Sequence, residues 1–311
     1  MAPAVFLSIL IPVYNWDARE LLIRLAAQAE GLGGDEVVEI IVIDDASSVK
    51  FSNKETAGKI ARITYRELTK NIGRAAIRNK LLQEASGEYV LFLDADMLPD
   101  CDDFLQRYVS EAKEGKEILC GGISYLQCER DDKQYSFYLY KSGKTESLSA
   151  PTRQKAPWRY LFTSNILLLR KVMESVSFDS RFSGYGFEDI EWGIRLSRSH
   201  TIRHIDNSCS HMGLMRKSEV YSKMCESISN YGLLIALHPQ CSIGMGAGAL
   251  ASRLSFLPHF ILQFLNNLFS FLFHRLNWNK LLFLLFQLNK AVLLAIMLKK
   301  NSKKHPNSKE L

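Results

Sequence analysis

The sequence predicts an α/β protein built on a mostly parallel sheet flanked by helices, with apolar helices at its C-terminal end. Three observations predict it. Strand-like and helix-like segments alternate from Val5 onward. The run from Glu36 to Ile43 is rich in β-branched residues, as a strand buried on both faces would be. Acidic and small polar residues, Asp44-Asp45-Ala46-Ser47-Ser48 and then Asp94-Ala95-Asp96, fall where strands end, the edge at which open parallel sheets hold ligands.

Taken in order, Val5 to Val13 is a first strand, ended by Pro12 and by the turn signal Tyr14-Asn15. The chain enters it without a basic leader, so this stretch reads as a strand and not as a signal peptide. Residues 17–30 place Leu21, Leu22, Leu25, Ala26 and Ala29 on one helical face, and Gly31-Leu32-Gly33-Gly34 stops that helix. The second strand, Glu36 to Ile43, runs into Asp44-Asp45; a weaker third strand covers Ile60 to Arg66. Asn71-Ile72-Gly73 then turns into a helix whose first turns carry Arg74 and Arg78, four apart and on one face. That face is either solvated or turned toward phosphates or a base.

Leu91-Phe92-Leu93 ends a buried strand and is followed by Asp94-Ala95-Asp96-Met97. If extended geometry persists, the two carboxylates converge, and a hard divalent cation relieves their repulsion. A strand ending in a polar turn at Pro99-Asp100 is the other reading. A helix is expected from Cys101 to Gly115, a strand from Glu117 to Tyr125, and a long unpatterned loop over 128–155. Ile166 to Leu169 is a buried strand after Thr163-Ser164-Asn165. In Gly184-Tyr185-Gly186-Phe187-Glu188-Asp189, two glycines flank an aromatic and let the backbone approach a ligand. Glu188 and Asp189 open a helix, where dipole complementarity alone accounts for two acids but leaves the aromatic–glycine lead-in unexplained. His211 is either a structural histidine or a ligand.

Composition bounds the rest. With 311 residues, 47% hydrophobic and 23% charged, the chain is an ordinary globular one of one large or two modest domains. The formal charge of +6 is unevenly placed: from Arg253 onward there are nine Lys or Arg and a single acid, Glu310. The remainder is near neutral, which argues against a nucleic-acid surface and for an anionic partner at the C-terminal end. Six cysteines without Cys-x-x-Cys spacing read as reduced thiols.

Five stretches in order resemble the inverting glycosyltransferases of family 2, which have the Rossmann-like GT-A fold. They are Ser8-Ile9-Leu10-Ile11-Pro12-Val13-Tyr14-Asn15, Val42-Ile43-Asp44-Asp45-Ala46-Ser47, Asn71-x-Gly73 through Arg78-Asn79, Leu93-Asp94-Ala95-Asp96-Met97, and Gly184 to Trp192. The last looks like the acceptor-side Gly-x-Gly-x-Glu-Asp motif of galactosyl- and N-acetylgalactosaminyl-transferases. The resemblance implies a metal-assisted transfer of a hexosyl or N-acetylhexosaminyl group from a nucleotide-sugar, a UDP-sugar being the expectation, to a glycan or lipid-linked acceptor. It implies Pro12, Tyr14, Asp44, Asp45, Arg74, Arg78 and Asp94 at the nucleotide. It implies Asp96, Asp94 and His211 on Mn²⁺ or Mg²⁺, with Asp96 the direct ligand. It makes Asp189 the base and Glu188 a holder of the acceptor. The expected division is a catalytic domain over 1–250, with a nucleotide-binding half at about 1–125 and an acceptor half at about 156–215. The Gln-x-x-Arg-Trp stretch that processive synthases of the family generally carry is not found, which points to single addition. A non-catalytic nucleotide-sugar-binding or scaffold protein of the same fold is the rival reading, disfavoured by the presence of all four carboxylates.

Residues 251–311 form the third part, apolar helices with a basic tail. Ser255, His259, Gln263, Asn266, Asn267, Ser270 and His274 recur every three or four positions, a narrow polar stripe opposite a broad apolar face. In the next apolar run Gln287, Asn289 and Lys290 fall mid-way, costly for a spanning helix. The expectation is membrane association through 251–304 at the cytoplasmic face, with helices lying in the leaflet and lysines on anionic headgroups. True spans or packing on a partner subunit are the alternatives.

Overall fold

The run Leu7 to Val13 has nearly every side chain fully buried, so the first strand has neighbours on both edges and layers on both faces. The computed structural model describes residues 5–32, 37–129, 132–240 and 246–304, with Val5 and the last four in backbone only. Gly33, Gly34, Cys241 and the tail after Lys304 lie outside the described residues. Chain contacts gather into two units: Met1–Glu129, Gly143–Ser183 and Glu188–Gly213 form the first, and Arg130–Ser142, Gly184–Phe187 and Leu214–Leu311 the second.

In the first unit β1 (Val5–Val13) leads through α1 (Arg19–Gly31) to β2 (Val37–Asp44), then through α2 (Asn53–Ala57) to β3 (Ile63–Glu67). Helix α3 (Arg74–Glu84) connects to β4 (Tyr89–Leu93), and a tight turn to β5 (Met97–Pro99). Next come α4 (Phe104–Lys113), β6 (Ile118–Cys120) and β7 (Ile123–Ser124), then the short helices α5 (Ser136–Thr145) and α6 (Ala150–Arg153). The unit closes with β8 (Asn165–Leu169), α7 (Arg170–Ser175), α8 (Glu188–Leu196), β9 (Ile202–His204) and β10 (Cys209–His211). Helix α5 belongs to the second unit up to Ser142.

The main sheet has the order β3-β2-β1-β4-β8-β6-β9. Its pairings are parallel except that β8 runs antiparallel to both β4 and β6, so the expected mostly parallel sheet carries one reversed strand. A second sheet, β5-β10-β7, pairs His211 with Met97.

Two expectations are corrected. The strand foreseen over 117–125 breaks at Gly121-Gly122 and is shared between the two sheets. A Cβ on Gly121 would stand 2.3 Å from the Asn207 carbonyl, and Gly122, at φ 94°, would place one 2.5 Å from Arg153. Only glycines pass that corner. The unpatterned stretch 128–155 holds helices α5 and α6, which bury few residues, Phe137 and Tyr138 among them, and so leave little periodic signal.

In the second unit the described helices are α9 (Lys217–Glu226), α10 (Ile228–Leu237), α11 (Gly246–Leu254), α12 (His259–Arg275) and α13 (Asn279–Lys304). Phe273 of α12 meets Phe137 and, on α13, Phe286. The Lys217 ammonium donates to the carbonyls of His274 and Leu276 at the end of α12. By length and composition α13 is apolar enough to cross a membrane over Asn279–Lys300. Two of its three central polar residues are spent inside the unit: Asn289 is fully buried and donates to the Tyr221 hydroxyl at 2.6 Å, and the Lys290 ammonium lies over the Phe187 and Tyr231 rings at 4.8 and 5.1 Å. Phe187 and Tyr231 stack at 4.4 Å, and Asn230 donates to the Gly186 carbonyl. This holds a segment in which Gly184, Gly186 and Phe187 all have positive φ.

Candidate active site

The polar residues at the strand ends are drawn together by backbone donors. Asn15, at φ 51°, donates its N–H to the Ser47 hydroxyl and accepts from Val49 N–H, tying the end of β1 to the loop after β2. Asp44 is buried and accepts from Ser47 N–H at 2.6 Å and from the Tyr65 hydroxyl at 3.2 Å. Asp45, also buried, accepts from Ile72 N–H at 2.8 Å and Gly73 N–H at 3.0 Å, which fixes the entry to α3. Gly73 has φ 85° there, a turn open to glycine. Pro12 and exposed Tyr14 stand at the same edge, at the end of β1.

Helix α3 then delivers Arg78 into the interior, with Arg74 exposed one turn earlier. Arg78 is buried and donates to the Asp94 carboxylate at 2.9 Å. Its other terminal nitrogen lies 3.8 Å from Glu188 and 4.0 Å from Asp189, within ion-pair reach and beyond hydrogen-bond distance. Nε and Nη1 of Arg78, Oε2 of Glu188 and Oγ of Ser164 are buried without a hydrogen-bond partner. Burial works against the arginine's charge, but Asp94, Asp189 and Glu188 outweigh it and keep the guanidinium protonated. Burial, then the neighbouring Asp189 charge, raises Glu188, with Arg78 and Arg74 opposing. Burial likewise raises Asp189 against the pull of Arg78. Asp189 is oriented at both oxygens by Thr163, whose hydroxyl donates at 2.8 Å and whose N–H donates at 3.2 Å.

The chain turns immediately after Leu93, so Asp94 and Asp96 do not share a strand face as extended geometry would have it. Asp94 faces Arg78, whereas Asp96 Oδ2 lies 3.2 Å from His211 Nε2. The β5–β10 pairing produces that contact, and Met212 N–H donates to the Asp96 carbonyl at 2.8 Å. Burial pushes Asp96 up, but the His211 charge and hydrogen bond leave it below the usual carboxylate range. Burial depresses His211, and Asp96 more than restores it. Gly213 completes the corner, since a Cβ there would lie 2.8 Å from Asp96 Oδ2.

The Asp96 carboxylate suits Mn²⁺ or Mg²⁺, whereas the imidazole beside it is a ligand that Mn²⁺ accepts more readily than oxygen-seeking Mg²⁺. Among the described residues no three His, Cys, Asp or Glu are grouped for a metal. An ion here would therefore have Asp96 and His211 as protein ligands, with phosphate and water oxygens completing its shell. Three residues of the site were not singled out by sequence reasoning: Thr163, Ser164 and Gly213. The polar triplet Thr163-Ser164-Asn165 at the mouth of an apolar strand was a usable signal for the first two; nothing local marked Gly213.

Comparison with known proteins gives the following. A model described as Glycosyl transferase family 2 matches residues 8–176. The uncharacterized glycosyltransferase YfnE of Bacillus subtilis is 25% identical over 238 residues, 62% of this chain and 60% of that one. The undecaprenyl-phosphate 4-deoxy-4-formamido-L-arabinose transferase of Salmonella paratyphi A is 33% identical over 156 residues, 47% of this chain and 43% of the relative. The chain thus spans less than two thirds of the length of either relative. Residues 1–349 of TarS from S. aureus superpose with a TM-score of 0.54 at 17% identity, over 98% of this chain and 93% of that one. TarS is also known in complex with UDP-GlcNAc. The mannosyltransferase PcManGT of Pyrobaculum calidifontis, in complex with GDP-Man and Mn²⁺, gives a TM-score of 0.53 at 16% identity, over 96% and 87% of the two chains. At such identities the likeness is one of fold.

Proposed function

The chain belongs to glycosyl transferase family 2, and on that premise we propose that it transfers a sugar, with inversion, from a UDP-sugar to a hydroxyl of a glycan or lipid-linked acceptor. The observation that carries this reading is the cluster of Arg78, Asp94, Glu188 and Asp189 at the carboxyl edge of the sheet, with buried donors and acceptors lacking partners. Such groups are expensive to leave unmade in a fold and are expected where a ligand completes them.

Asp189 acts as the base. An acceptor hydroxyl is a poor nucleophile and needs a carboxylate within hydrogen-bond reach to take its proton. Thr163 fixes that carboxylate in one orientation, and burial raises its affinity for the proton. Glu188 holds the acceptor beside it. Arg78 supplies positive charge beside the nucleotide's phosphates, while Asp94 keeps the guanidinium aimed. Asp45 shapes the nucleoside pocket by pinning the Ile72-Gly73 backbone, with Pro12, Tyr14, Asp44 and Arg74 at its rim. Asp96 and His211 would hold Mn²⁺ or Mg²⁺, which when bound offsets the negative charge that develops on the leaving diphosphate. With base and leaving group on opposite faces of the sugar, configuration inverts and no covalent intermediate forms. Support for a lipid-linked acceptor is the relative from Salmonella, whose name specifies undecaprenyl phosphate.

The test is UDP release and sugar transfer from a panel of UDP-sugars with and without Mn²⁺. Asp96→Ala should abolish the metal dependence, and Asp189→Ala should lower turnover by at least about 100-fold, the order expected for loss of a general base. Turnover that neither change affects would overturn the assignments.

A further inference from the structure

The second unit carries an apolar surface that its own packing does not use. On α12 Leu262 and Phe273 are fully buried and mark the face turned into the unit. Phe260, Phe264, Leu268 and Phe271 lie on the opposite side, within about 80° of arc at roughly 100° per residue. They are 73%, 64%, 37% and 57% exposed. Phe256 before the helix and Trp278 after it are 88% and 66% exposed. Beside the aromatic face Gln263, Asn267 and His274 form an exposed polar edge.

The charge along the chain that carries this face has one sign. Between Glu226 and Glu310 the sequence contains no acidic residue. Arg253, Arg275, Lys280 and Lys300 are all exposed, and the Arg275 guanidinium sits over the Phe271 ring at 5.5 Å, at the rim of the face. Helix α13 is differently placed: Leu282, Leu285, Ala291, Val292, Leu294 and Ala295 are buried, and its mid-helix Asn289 and Lys290 have partners within the unit. The longer helix turns part of its apolar surface and its mid-helix polar residues into the unit, while the shorter one displays its aromatic side.

We propose that this aromatic face docks in the plane of a bilayer containing anionic lipid. Helix α12 lies in the interface with Phe260, Phe264 and Phe271 among the acyl chains, Trp278 at headgroup level, and Arg253, Arg275 and Lys280 on the phosphates. The chain is held on one leaflet and does not cross it. The chemistry that selects this occupant is an apolar aromatic strip with a neutral polar edge, Arg275 at its rim and no acidic residue in the chain on either side; a protein partner of mixed charge does not require it.

The test uses the full chain and sedimentation with vesicles of phosphatidylcholine, with or without phosphatidylglycerol. Binding is expected only when phosphatidylglycerol is present, weakening as salt is raised. The double change Phe260→Ser and Phe264→Ser should lower the partition coefficient at least about tenfold. Phe256→Ser with Trp278→Ser, outside α12, should lower it in the same direction without touching the helix. Alkaline carbonate should release the bound protein. Vesicle binding that both double variants retain, or retention through carbonate, would overturn the proposal. So would a dimer that the substitutions convert to monomer with no change in lipid binding, since the face would then be covered by a second copy.

Discussion

Arg78 and Arg153 are both buried in the first unit, 2% and 1% exposed, and the structure treats them in opposite ways. Arg153 donates to the carbonyls of Leu148, Cys120, Gly121 and Ile205 and to the Nδ1 of His204, so each of its nitrogens has an acceptor. It joins the corner at Gly121-Gly122 to the end of β9. Arg78 has one good hydrogen bond, three carboxylates around it and two nitrogens with none. A buried cation whose partners are complete serves the fold; one whose partners are incomplete stores a cost of about 1–3 kcal/mol per orphaned group until a ligand arrives. Charge and burial alone do not separate the two roles. The hydrogen-bond inventory does.

Mutating the pair sharpens this contrast. The largest effect is expected from Arg153→Met, which strands several carbonyls and His204: a loss of about 3–5 kcal/mol of stability in urea denaturation, with turnover per folded molecule unchanged. Arg78→Met should do the reverse, lowering kcat/KM for the donor by at least about 100-fold, or about 3 kcal/mol, while shifting the urea midpoint less than Arg153→Met. If the two variants lose stability and rate in the same proportion, the contrast fails. A smaller effect concerns pH. Burial first, and then the Arg153 charge, hold His204 down to about 4, with its Nε2–H donating to the Pro157 carbonyl. Because the unfolded chain takes up this proton first, the contribution is intact above about pH 6.5 and is lost as pH falls toward about 4. At the lower end it amounts to about 3 kcal/mol, to within a factor of two. Urea midpoints between pH 7 and 4 should therefore fall less steeply in His204→Gln than in the native protein.

Much of this was legible in one dimension. The apolar runs marked β1, β2 and β4, Gly73 marked the start of α3, and the polar residues at strand ends marked the site, because burial and turn chemistry leave local signatures. What was not legible depends on contacts far apart in sequence. Asn165–Leu169 reads as a buried strand in either direction, and its reversal between β4 and β6 is visible only in the pairing. Asp94 and Asp96 were read as convergent, yet the turn after Leu93 sends one to Arg78 and the other to His211. Arg153 lies in a stretch with little pattern, and its saturation needs partners from β6 and from the residues around β9. In the C-terminal helices the polar stripe of α12 and the apolar face opposite it were legible, whereas which aromatic residues of that face stay outward is visible only in the packing.

The segment 184–187 belongs by its contacts to the second unit, although the residues on either side of it belong to the first. Phe187 has φ 72°, a conformation L residues adopt rarely and at a cost, and it is held by Tyr231 stacked on its ring with Lys290 above. The next residue is Glu188. A shortened protein ending near Gly213 would retain every candidate catalytic side chain and yet lose the grip on the peptide that leads into them. Swapping the C-terminal helices between relatives would for this reason need the 184–187 segment to travel with its clasp.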